Sequence, residues 1–148
     1  MYTRDQLWLR LDHILDLAAE VKSDARVLDT LREEIGLQST GGADQTGSRP
    51  IGHVSDSVSV AAMRLYDMEQ ALREKRAVLR REQDALQEQI NRMPTAVYRN
   101  LILCRYILLM TWSKTARALS YDVRHVYRVY DSALEELLET VNASLDVM

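Results

Sequence analysis

A chain of 148 residues with 47% hydrophobic and 28% charged side chains has the size and make-up of a folded domain with a helical extension, which excludes a disordered polymer. A net charge of −3 argues against a protein that coats nucleic acid through bulk charge. The single cysteine, Cys104, excludes an internal disulfide and fits a reducing cytoplasm. There is no Phe, four of the five Gly lie between positions 41 and 52, and no stretch alternates with period two. This favours an all-α protein.

The longest apolar run, at 106–110, is too short to span a bilayer, and the N-terminus lacks a signal-peptide core, so a cytoplasmic protein with no membrane partner is expected. His13, His53 and His125 have no cysteine or carboxylate companions at metal-ligand spacing. No nucleophile–base pair, carboxylate pair or phosphate loop can be assembled either. The chain therefore reads as a non-enzyme without a cofactor.

The first predicted element is a long helix over 3–35, in an N-terminal segment of 1–37. Leu7, Leu11, Ile14, Ala18, Val21, Ala25, Leu28 and Ile35 recur at spacings of four and three, interrupted only at Arg32. Thr3 is suited to cap its start and Gly36 to end it in the left-handed conformation. Residues 38–54 hold most of the Gly and several small polar residues, and read as a mobile connector.

A second long helix is expected at 55–92, in a segment of 55–93, capped by Ser55 or Asp56. Leu65, Leu72, Leu79, Leu86 and Met93 recur every seven residues. Pairing with the first helix as an antiparallel, coiled-coil-like hairpin buries both seams, and pairing between chains is the alternative. The basic cluster Arg73, Lys75, Arg76, Arg80 and Arg81 is interleaved with Glu69, Glu74, Glu82, Asp84 and Glu88. That pattern suits a solvated face more than a second nucleic-acid contact.

Pro94 breaks the second helix and opens a C-terminal segment, 94–148. A supporting helix is predicted to run to about Met110, with Val97, Leu101, Ile102, Tyr106 and Leu109 on its buried side. The stretch 111–137 then reads as a short helix, a turn at 120–122 and a longer helix capped by Asp122. This is the order of a helix-turn-helix, whose second helix enters the major groove.

Charge supports that reading. Residues 99–128 carry Arg99, Arg105, Lys114, Arg117, Arg124 and Arg128 against Asp122 alone, whereas 1–37 is acidic and the tail carries Asp131, Glu135, Glu136, Glu139 and Asp146. On the second helix Val126, Val129, Tyr130, Ala133, Leu134 and Leu137 are spaced to face inward, and Arg124, Tyr127, Arg128 and Asp131 to face out. Arg124 and Arg128 suit guanine or phosphate, and His125 and Tyr127 suit phosphate or bases. Lys114 and Arg117, with Ser113, are candidate backbone contacts on the first helix.

The segments Arg105-Tyr106-Ile107, 112–119 (WSKTARAL), His125-Val126-Tyr127-Arg128 and Ala133-Leu134 resemble small phage transcriptional activators of the RinA and ArpU type. The C-terminus of those proteins is similar to region four of the sigma factors. The resemblance covers 55–138 and departs at Thr115, where Ile is usual, and at Ser120, where the turn often has Gly. It implies a phage or prophage regulator in a bacterial host that binds double-stranded promoter DNA and touches host RNA polymerase. A dimer or higher homo-oligomer through the long helices is expected, because one such module buries a modest area. The alternatives are a DNA packaging or assembly protein using the same motif, and a helical interaction module with no nucleic-acid partner.

Overall fold

The computed structural model describes residues 1–43 and 51–147. Five α-helices and one π-helical turn account for nearly all of them, and no strand occurs among the described residues. No helix among these residues is long and apolar enough to cross a membrane.

Helix α1 (Arg4–Ala43) opens with a reciprocal cap. Thr3 Oγ1 accepts the Gln6 N–H at 3.2 Å, and Gln6 Oε1 accepts the Thr3 N–H at 2.9 Å. Two end N–H groups are thereby satisfied. The helix does not stop at Gly36, as its expected role as a cap required, but passes through it. One interior glycine costs only about 1 kcal/mol, which a long helix absorbs. Helix α2 (Ile51–Asn91) begins upstream of Ser55 and Asp56, which are interior rather than capping. The expected connector 38–54 is thus helical at 38–43 and 51–54, and its remaining residues, 44–50, lie outside those described.

The chain packs as two compact units. One consists of Ala19–Val78, from the adjoining parts of α1 and α2. Lys75 Nζ lies 2.6 Å from Asp24 Oδ2 and 3.8 Å from Glu20, while Arg32 Nη2 lies 2.9 Å from Glu69 Oε1. Moving up α1 therefore moves down α2. Leu28 and Leu72 are the buried residues described here; Val21, Ala25, Leu65 and Met68 are half-buried, and Val27, Val60, Met63 and Tyr66 are exposed.

The other unit comprises Met1–Ala18 and Leu79–Met148. It adds α3 (Ala96–Ile102), the π-helical turn Leu103–Ile107, α4 (Trp112–Leu119) and α5 (Val123–Asp146). Its core draws on every element: Leu7, Leu11 and Ile14 from α1, Leu86 and Ile90 from α2, Leu101 and Ile102 from α3, Ala116 from α4, and Val126, Ala133 and Leu137 from α5. Each Leu, Ile and Val among them gains about 1.5–3 kcal/mol on burial. The chain start is tied to α5, because Asn142 accepts the Tyr2 N–H at 2.8 Å and donates back to the Tyr2 carbonyl at 3.1 Å. Arg10 donates to Gln89 Oε1 at 2.7 Å, joining α1 to α2.

The supporting helix is shorter than the sequence predicts. It is α-helical only to Ile102, then widens: the Leu108 N–H reaches the Leu103 carbonyl at 3.0 Å and the Met110 N–H reaches Cys104 at 2.9 Å. Leu109, at φ 57°, leaves the helix there and is exposed rather than buried, since its left-handed backbone turns the side chain off the helical face. Gln83 on α2 closes this turn from outside, donating to the carbonyls of Tyr106 at 2.9 Å and Ile107 at 3.3 Å.

Candidate nucleic-acid interface

Helix α4 starts where the sequence places it. Thr111 is the N-cap, its side chain accepting the Lys114 N–H at 3.2 Å. The helix ends on Ser120, which takes the left-handed conformation at φ 59° and ψ 39°. The Ser120 N–H bonds the Arg117 carbonyl at 3.2 Å and the Tyr121 N–H bonds Ala116 at 2.9 Å. This is the paired 5→2 and 6→1 arrangement that glycine usually serves. Asp122 occupies the N-cap of α5 with extended backbone, and its carbonyl accepts the Val126 N–H at 3.0 Å. Its carboxylate accepts none of the helix N–H groups.

Three residues thus separate α4 from α5, and the two helices pack directly against each other. Thr115 and Ala116 are buried on α4, and Val126 is completely buried on the first turns of α5. The remaining positions turn outward. Ser113, Lys114 and Arg117 on α4, and Arg124, His125, Tyr127 and Arg128 on α5, are all exposed. The inward set on α5 is as its period predicts, with Ala133, Leu134 and Leu137 buried and Val129 and Tyr130 half-buried.

Among the described residues, neither Lys114 nor Arg117, Arg124 or Arg128 is held by an acid, although other cations are: Arg4 by Asp131 at 3.4 Å and Glu135 at 3.9 Å, and Lys75 by Asp24. Three acids of α5 are likewise occupied: Asp131 and Glu135 by Arg4, and Glu136 by Thr95. Glu136 accepts the Thr95 hydroxyl at 2.6 Å and the Thr95 N–H at 3.3 Å, and so sits at the start of α3. The local field over the outer faces of α4 and the start of α5 is therefore positive within an acidic protein.

Aromatic contacts organise this face in a way the sequence does not announce. Trp112 is half-buried and meets Tyr127 at 5.1 Å and Tyr130 at 4.9 Å between ring centroids. The Arg105 guanidinium lies 4.3 Å from the centre of the Trp112 ring, a cation–π contact. Arg105 is itself fixed by donating to the Met110 carbonyl at 2.6 Å. Tyr130 bonds Tyr106 hydroxyl to hydroxyl. His125 packs edge-on against Tyr121 at 4.7 Å. For the ring contact of Arg105 the sequence signal is a cation inside an apolar run, where a charge must find a partner.

Chemically, the arrangement offers exposed guanidinium, ammonium, imidazole and phenol donors on two adjoining helices, suited to an anionic polymer. The basic cluster of α2 differs in part: Lys75 is engaged by Asp24 and Glu20, and Arg80 stands 4.0 Å from Asp84. Compared with protein-family models, curated proteins and solved structures, the chain finds no match.

Proposed function

We propose that this chain is a phage or prophage DNA-binding transcriptional regulator, in which α4, the three-residue turn and α5 act as a helix-turn-helix of the sigma region four kind. The observation that carries the reading is the sidedness of α5: Val126 is wholly buried while Arg124, His125, Tyr127 and Arg128 around it are exposed. That presents a run of donors near the helix start, where such helices reach base edges. Lys114, Arg117 and Ser113 are placed for phosphates on the preceding helix. The sequence resemblance to RinA- and ArpU-type activators supports the same reading.

On this reading α1 and α2 form an antiparallel hairpin that serves assembly into a homodimer or higher oligomer. Its partners are double-stranded promoter DNA and host RNA polymerase in the bacterial cytoplasm. Selection of bound fragments from random duplex, followed by anisotropy titration at fixed salt, tests it. Arg124→Ala and Arg128→Ala should each weaken the selected site by about 1–3 kcal/mol if each reads a base. Lys114→Ala should weaken all duplexes alike and lower the salt slope by about one. Unchanged binding in both arginine variants would remove α5 as the reading helix.

A further inference from the structure

We propose that Trp112 is a positioning residue for DNA recognition, gripping α5 at two points so that its exposed face is presented at one fixed roll about the helix axis. This rests on the DNA-binding reading above. Tyr127 and Tyr130 stand three residues apart, on neighbouring turns of one helix, and Trp112 touches both rings, at 5.1 and 4.9 Å. The buried Val126, Ala133 and Leu137 hold α5 on the core, and two ring contacts along its axis fix the remaining roll of the outer face where one would leave it free to shift.

The grip is itself held. Trp112 is the first residue of α4, so its backbone is set by the Thr111 cap. Its ring is covered by Arg105, which the π-helical turn carries and the Met110 carbonyl fixes. Tyr130 is anchored from the far side by Tyr106 of the same turn. A chain of contacts thus runs from the π-helical turn through Arg105 and Trp112 to Tyr127, which lies between Arg124 and Arg128 in sequence and is itself exposed.

The functional consequence follows from the geometry of the two kinds of DNA contact. A charge near a phosphate tolerates a change in direction, because the attraction is Coulombic and long-ranged. A bidentate guanidinium on a base edge does not, because both N–H groups must align. Loosening the roll of α5 should therefore erode sequence discrimination and leave general affinity intact.

The test is a double-mutant cycle between Trp112→Leu and Tyr127→Leu, read on the selected site and on an unrelated duplex over a salt series. Trp112→Leu should weaken the selected site about tenfold, leave the unrelated duplex and the salt slope unchanged, and add nothing further in the Tyr127→Leu background. Circular dichroism establishes that each variant is folded. Where Trp112→Leu loses helix, Trp112→Phe replaces it, and the same coupling to Tyr127→Leu is read. Additive losses, or equal losses on both duplexes, overturn the positioning role. A native chain that binds no duplex overturns the DNA reading itself, whereas native binding with unaltered Trp112 variants overturns this inference alone.

Discussion

Two side chains in α4 and its turn carry a cost that the fold tolerates. Ser120 holds a left-handed backbone that disfavours any residue with a Cβ by about 1–2 kcal/mol, while Gly there brings its own entropy cost in the unfolded chain. Ser120→Gly is expected to stabilise the protein by about 0.5–1 kcal/mol, seen as a higher denaturation midpoint. A lower midpoint would mean that the Ser120 hydroxyl makes a contribution its exposed position does not suggest. Thr115 is fully buried and its hydroxyl has no hydrogen-bond partner among the described residues. Thr115→Val keeps the branched shape and removes the stranded hydroxyl, and should raise stability by about 1 kcal/mol in the same measurement.

At the scale of elements, what could be read in advance is what repeats. The seven-residue period finds Leu72, Leu79 and Leu86 of α2 and Met93 just beyond it buried and Leu65 half-buried, and the start of α1 finds Leu7, Leu11 and Ile14 buried. The outward residues of α5 were legible for the same reason. The π-helical turn was not, because five residues are too few for a wider pitch to shift an apolar pattern, and Leu109 was accordingly assigned to the wrong side. The grip on Trp112 was not legible either, since it joins residues from three elements whose approach is set by packing. That turn also gives the protein a response to alkali. Burial raises the phenols of Tyr106 and Tyr130 above the ordinary tyrosine range, and for Tyr106 the neighbouring Tyr130 adds to the shift. A group whose folded pKa is raised stabilises the fold fully below its unfolded pKa, about 10 for tyrosine, and loses that stabilisation as pH rises toward the folded value. Stability should therefore fall as pH rises above about 10. Ultraviolet titration should show the Tyr106 and Tyr130 phenols ionising together with unfolding. Native-state ionisation of all phenols would remove the Tyr106–Tyr130 pair as a source of this response.

For the whole molecule, burial is distributed very unevenly between the two units. Among the residues whose burial is described, the unit built on Met1–Ala18 and Leu79–Met148 contains most of the buried ones, whereas Leu28 and Leu72 are those buried in Ala19–Val78. Local opening follows buried apolar contact, so amide exchange should be slowest around Leu101, Val126 and Leu137 and several orders faster across 19–35 and 57–78. Uniform protection along α1 and α2 would show that a partner or a second copy covers the exposed Val60, Met63 and Tyr66 in solution. The reciprocal bonds between Tyr2 and Asn142 have a consequence for how the molecule is made. Residues 140 positions apart must meet before this unit closes, so the tie at the chain start cannot form on a ribosome until α5 has been synthesised. Such distant closure is paid in chain entropy before any contact rewards it. Helix α5 therefore acquires its complete support only together with the chain start, and a nascent chain stalled before α5 would present an acidic α1 without that tie.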